Sequence, residues 1–161
     1  MDSQAREQLI RAVAATVFRH SEELTALDQA IGDGDHGLNL KRGFEAVVPE
    51  LPGLAAKPWP DLLKAAGMTM VMKVGGASGP LFGTFFMELG KTVGPEPDRA
   101  AVVAAFAKAV EAVKARGRSE AGQKTLLDVL VPVQAALEGG ADAAALQAEA
   151  AASADRTVPL Q

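Results

Sequence analysis

The sequence predicts an all-α fold, an antiparallel helical barrel or bundle of about seven to eight helices joined by short connections. Three observations carry that prediction. Alanine, the strongest helix former and a small packing residue, is used heavily. Apolar residues recur at three- and four-residue intervals in segment after segment. No segment alternates with period 2, and the β-favouring aromatics amount to 4% with no tyrosine. At 161 residues the chain fits one domain with enough length to bury a core. No internal repeat of roughly 20–50 residues divides it.

The first helix is expected over residues 3–27, where Leu9, Ala12, Val13, Thr16, Val17, Leu24 and Leu27 form one apolar stripe. The sequence IGDGDHG then breaks the pattern. Asn39 is placed to cap a short second helix running to about Val48, with Pro49 as its stop. Residues 49–60 read as a proline-rich connection. A third helix is expected from Pro60–Asp61 to about Lys73, ended by GGASGP, and a fourth from about Leu81 to Lys91. Asp98 caps a fifth, whose stripe is Val102, Val103, Phe106, Val110 and Val113 and whose stop is Gly117. A sixth covers about Lys124–Leu137 and should bend at Pro132, which lacks an amide hydrogen. Gly139–Gly140 ends it, and a seventh begins after Asp142 and fades toward Ala154.

Composition excludes several classes of function. A formal charge of −4 gives no counterion release on a polyanion, so nucleic acid is not an expected partner. Without cysteine there are no disulfides, thiolate metal sites or cysteine nucleophiles. The N-terminal MDSQAREQLI has neither the basic region nor the apolar run of a signal peptide. No stretch approaches the roughly 20 apolar residues that span a bilayer. These features point to a soluble, cytoplasmic chain.

Two connections carry chemistry beyond that of ordinary turns. The first, residues 28–43, places Asp28, Asp33 and Asp35 within eight residues at a helix end. Gly32, Gly34 and Gly37 can turn the backbone so that carboxylates share a side. Two carboxylates about 4 Å apart repel by about 4 kcal/mol at an effective dielectric of 20. A third, beside the negative end of a helix dipole, adds to the cost unless a cation is held. Oxygen-only ligands select a hard ion, magnesium or calcium, over zinc. The competing reading is a surface turn whose carboxylates point separately into water. An EF-hand fails on register: counted from Asp33, Gly37 falls fifth and Leu38 sixth, where a ligand and a glycine are required. His36 can donate to a phosphate and Asn39 can bind phosphate or metal; alternatively they serve the turn and a helix cap.

The second connection, KVGGASGPLFGT over residues 73–84, has the makings of a phosphate cradle. Small residues admit an anion to backbone amides, Ser78 offers a hydroxyl, and a helix N-terminus follows. No Gly-Lys-Ser/Thr follows the glycines, so it is not a Walker A loop. Thr84 either faces the site or packs. A third segment, EAGQKTLLDVL over residues 120–130, offers Gly122 and Thr125 for close approach to a nucleotide and Leu126 and Leu127 for a base. A capped amphipathic helix start is its alternative reading.

Together these segments resemble the L subunit of dihydroxyacetone kinase (DhaL family). The resemblance rests on Asp28, IGDGDHGLN (31–39), GGASGPLFGT (75–84) and KTLLD (124–128), in that order and at matching spacing over nearly the whole chain. It implies a single DhaL-type nucleotide-binding domain over 1–161, a helical barrel with the nucleotide at one end. It implies two Mg2+ ions on Asp28, Asp33 and Asp35. His36, Gly37, Leu38 and Asn39, with Ala77, Ser78 and Gly79, would contact the phosphates of ADP or ATP, with Thr84 nearby. Gly122, Thr125 and Leu126 would line the base and ribose region. No catalytic side chain is assigned, because phosphoryl transfer depends on positioning and charge neutralisation. The implied partners are a K subunit holding dihydroxyacetone and a phosphocarrier M subunit of a phosphotransferase-linked system, with a homodimer also open. His36 separates the chain from the similar fatty-acid kinase domains, whose first loop has Asp-Gly-Asp-Thr-Gly. The family's Gly-Arg-Ala-Ser and Asp-Pro-Gly-Ala segments are not found before RTVPLQ, so a C-terminal lid is expected to be lacking. A nucleotide-occupied regulatory adaptor without turnover is the alternative function.

Overall fold

The structure is a computed structural model that describes residues 1–30 and 32–158. Ile31 of the first motif and residues 159–161 of the C-terminal RTVPLQ lie outside the described residues. Among the described residues there are eight α-helices and no strand. They are α1 (Ser3–Gln29), α2 (His36–Val47), α3 (Leu51–Ala55), α4 (Trp59–Lys73), α5 (Ser78–Thr92), α6 (Arg99–Gly117), α7 (Leu127–Glu138) and α8 (Ala143–Thr157). A 3-10 turn, Val48–Glu50, precedes α3. No described helix is long and apolar enough to cross a membrane.

Three helices start on the same device. Asp2, Asp98 and Asp142 accept the amide hydrogens of Ala5, Ala101 and Ala145 at 2.8, 2.8 and 2.9 Å, each satisfying an otherwise orphaned first-turn donor. Asp98→Ala is expected to lower stability by about 1 kcal/mol, read as a lower denaturant midpoint at unchanged slope. Asp98→Asn should keep most of it.

Several boundaries differ from the sequence expectation, each for a local reason. The second helix begins at His36, not Asn39: the Asp35 carbonyl accepts from Asn39 N at 2.9 Å, so Asn39 lies inside the helix, 4% exposed. The fourth expected helix begins at Ser78, not Leu81, because Leu81 N already bonds to the Ala77 carbonyl at 3.2 Å and Pro80 stands in the first turn, where no amide donor is required. Pro49 and Pro52 likewise begin helical turns instead of stopping one, so the proline-rich connection is itself partly helical. The helix expected from Lys124 starts at Leu127, and the last one runs on to Thr157. Pro132 does lie inside α7.

The helices neighbour one another in the order α1, α2, α4, α5, α6, α7, α8, with α3 tucked against α1 and α4. The α4–α5 pair is the most intimate. A side chain at Gly67 would stand 2.8 Å from the Gly83 carbonyl oxygen, and one at Gly83 would stand 2.7 Å from that of Gly67. The two backbones therefore touch. Apolar clusters fill the interior: Ala14, Leu40, Phe44, Met70 and Val74 join α1, α2 and α4, while Val47, Leu51, Leu54 and Leu62 close the base. Val110, Val113 and Leu127 join α6 to α7, with Leu81 and Phe85 of α5 packed on them. Complete burial of each leucine contributes about 1.5–3 kcal/mol. Because successive long helices run up and down, the α1–α2, α4–α5 and α6–α7 connections fall at one end of the bundle. Those are the three segments singled out by sequence.

Candidate functional site

The aspartate loop is built by one carboxylate. Asp28, in the last turn of α1, accepts on Oδ2 from Asp35 N at 2.9 Å and His36 N at 3.3 Å, while its carbonyl accepts from Gly32 N at 2.6 Å. The loop is thereby folded back over the end of α1, and Gly34 takes the positive φ (73°) that the reversal needs. Gly37 has a different use: it lies in α2 where a side chain would collide with the Ser21 carbonyl of α1. Asp35 precedes α2 without using its side chain as a cap.

Those bonds bring carboxylate oxygens of Asp28, Asp33 and Asp35 within 4.8 Å of one another, with Asp33 and Asp35 exposed. The donor set suits a hard cation. Oxygens on one magnesium ion at about 2.0–2.1 Å lie at most about 4.2 Å apart, so a slight closure or a second ion accommodates the trio.

The glycine turn lies against this loop. His36 Nδ1 and Ser78 Oγ are 3.0 Å apart, and a side chain at Gly75 would stand 2.7 Å from Asn39 Oδ1. His36 opens α2 and Ser78 opens α5, so two helix N-termini converge, and neither carries a side-chain cap. Each adds a partial positive charge and first-turn amides at the same place. Carboxylates that could hold a cation, beside two helix ends without side-chain caps, would suit a metal-bound polyphosphate.

Next to Ala77 opens a cavity of about 460 Å³ between α5, α6 and the α6–α7 connection, within the range of small-ligand pockets. Pro80 and Leu81 form one wall, Val113, Arg116 and Gly117 another, and Ser119, Thr125, Leu126 and Leu127 the third. Thus Ala77, Thr125 and Leu126 of the sequence-derived set share one cavity. The others are placed differently. Gly122 does not line it. Thr84 is half-buried and nearly two turns into α5, also outside the lining. Leu38 is 54% exposed and faces a separate groove with Ser21, Thr25 and Lys41. Only its backbone, in the first turn of α2, lies near the glycine turn. Pro80, Leu81, Val113, Arg116, Gly117 and Ser119 also line the cavity and were not assigned to the site from sequence. Their signal was present in part, since Val113 and Arg116 are one helical turn apart and share a face. That this face borders the site follows only from the packing.

Comparison with known proteins fits this geometry. Residues 30–161 match the DAK2 domain family, a match that starts just past Asp28. The chain is 47% identical over 115 residues to the ADP-binding subunit DhaL of the PEP-dependent dihydroxyacetone kinase of Escherichia coli K12, covering 70% of this chain and 55% of that one. It is 44% identical over 122 residues to the corresponding subunit of dihydroxyacetone kinase 1 of Listeria innocua, covering 75% of this chain and 62% of that one. The chain therefore spans little more than half the length of these relatives. The crystal structure of the dihydroxyacetone kinase from C. freundii, in complex with AMP-PNP and Mg2+, superposes with a TM-score of 0.82 at 25% identity, over 95% of this chain and 28% of that one. By this match over most of its length, and by relatives more than 40% identical, the chain belongs to the DAK2 domain family.

Proposed function

We propose that this chain is the nucleotide-binding unit of a dihydroxyacetone kinase, acting in the cytoplasm on dihydroxyacetone held by a separate K subunit. The observation that carries the reading is the 3.0 Å contact between His36 and Ser78, which joins the acidic trio to the glycine turn at two helix N-termini. Asp28, Asp33 and Asp35 hold two magnesium ions. First-turn groups from His36, Gly37, Leu38 and Asn39 and from Ala77, Ser78 and Gly79 orient the phosphates of ADP or ATP. The cavity beyond Ala77 takes the base, against Thr125 and Leu126. Bound magnesium supplies charge neutralisation for in-line phosphoryl transfer.

The protein's own share is placement. The helix ends would hold the phosphates, and the apolar walls of the cavity would hold the nucleoside. A phosphocarrier M subunit as phosphoryl source is supported by the PEP-dependent and PTS-dependent relatives of this chain. Dihydroxyacetone as the acceptor is supported by the DhaL relatives, which are subunits of dihydroxyacetone kinases.

In calorimetry the chain is expected to bind ADP in the presence of Mg2+ and to lose that binding in excess chelator. Mixed with K and M subunits and phosphoenolpyruvate-charged carrier, it should yield dihydroxyacetone phosphate. Tight binding without product would favour the adaptor function; no binding in either condition would remove the nucleotide site altogether.

A further inference from the structure

The α6–α7 connection has no regular structure, yet it forms one wall of the cavity, and one side chain below it organises its geometry. We propose that Asp128 is a positioning residue for the nucleoside: it fixes this connection as a wall, and so sets affinity for the base and ribose without touching the phosphates. The inference rests on the nucleotide reading of the cavity.

Asp128 sits in the first turn of α7, half-buried. Its Oδ2 accepts from Thr125 N at 2.8 Å, and Thr125 Oγ1 in turn accepts from Leu127 N at 3.2 Å. Only half of a capping box is present: Asp128 accepts the Thr125 amide, while the Thr125 hydroxyl accepts from Leu127 and not from Asp128 itself. Capping accounts for one carboxylate oxygen. The other, Oδ1, accepts from Gly122 N, six residues back, and no helix start requires that bond. A single carboxylate therefore clamps both ends of the stretch from Gly122 to Thr125.

The rest of the connection is tied down in series. Glu120 N donates to Gln123 Oε1 at 3.0 Å, and Ser119 N reaches the Lys114 carbonyl at 3.4 Å. Lys114 pairs with Glu111 at 3.0 Å and with Glu120 at 3.4 Å. Gly122 (φ 89°), Arg118 (φ 49°) and Lys124 (φ 53°) all lie in the left-handed region, so the segment follows one unusual path that these bonds hold. Ser119 and Thr125, both on that path, line the cavity. Gly122 thus acts through its amide hydrogen bond to Asp128 instead of through contact with the cavity.

The test compares Mg-ADP with Mg-pyrophosphate, which carries the diphosphate and no nucleoside, by calorimetry on the full chain. In Asp128→Asn only one of the two amide bonds can be kept, because the amide nitrogen is no acceptor. The expected result is about a tenfold loss of Mg-ADP affinity with Mg-pyrophosphate affinity within about twofold of wild type. A proportional loss of both, or no loss of either, overturns the proposal. Gly122→Ala provides a second route that leaves the carboxylate intact: a methyl group there meets nothing within 4 Å, so only the φ of 89° is opposed. It should show the same selective loss, and an unchanged ADP affinity would count against the clamp even if Asp128→Asn fails to fold. If the wild-type chain binds neither probe, it is the nucleotide reading that fails, an outcome distinct from equal binding by wild type and variants.

Discussion

In Asp33→Ala, magnesium-dependent affinity for ADP falls by about 100-fold or more while the far-ultraviolet circular dichroism stays that of the wild type. Asp33 is the cleanest of the three carboxylates to remove. It is exposed and lies outside every helix. Asp28, by contrast, also holds the amides of Asp35 and His36, so its loss would unfold the loop along with the carboxylate cluster. The three ligand oxygens lie within 4.8 Å of one another, so like charges are crowded together when no cation is held. Deleting Asp33 relieves part of that crowding. The variant should therefore melt at the same temperature as wild type or higher in chelator, and gain nothing from Mg2+ and ADP, whereas wild type is stabilised by them. Equal affinity in variant and wild type would show that the trio does not carry the nucleotide's metal.

The second large effect is expected from a single methyl group. Gly37→Ala should lower stability by about 3 kcal/mol, which for a chain of this size is roughly 6–12 °C in melting temperature. Its Cβ would run into the Ser21 carbonyl and approach Thr25 Oγ1 to 2.5 Å, and backbone on α1 cannot rotate away as a side chain can. To relieve the clash α2 must lift from α1. That movement carries His36 away from Ser78 and Asp35 away from Asp28, so ADP affinity should fall with stability. Gly53→Ala is the matched control. It lies in α3 with nothing within 4 Å of the added atom and should be neutral or slightly stabilising. A neutral Gly37→Ala measured by thermal denaturation would mean that the α1–α2 contact is looser than described.

Much of the site was legible before any coordinates, because its parts are local. Asp28, Asp33 and Asp35 lie within eight residues, and carboxylates crowded on glycine turns announce a cation. Ser78 and its small neighbours advertise an anion cradle in the same local way. Helix boundaries were less legible where side chains compete with the backbone. Asn39, a residue type suited to capping, is buried in the first turn of α2 because the helix ladder already starts at the Asp35 carbonyl. The expected start at Lys124 was delayed to Leu127 because Asp128 and Gln123 hold the preceding amides out of the helix.

The sequence by itself determined the helices, the three interrupted connections and the chemistry of the acidic trio, since periodicity, breakers and charge crowding act between residues a few positions apart. Only the tertiary structure decided that those connections meet, that His36 reaches Ser78 across 42 positions of sequence, and that Val113, Arg116 and Ser119 enclose a cavity beside them. The reason is that helix faces are chosen by packing: the touching backbones at Gly67 and Gly83 and the close approach at Gly37 fix how the helices lie, and no pattern along one helix records which neighbour it will meet.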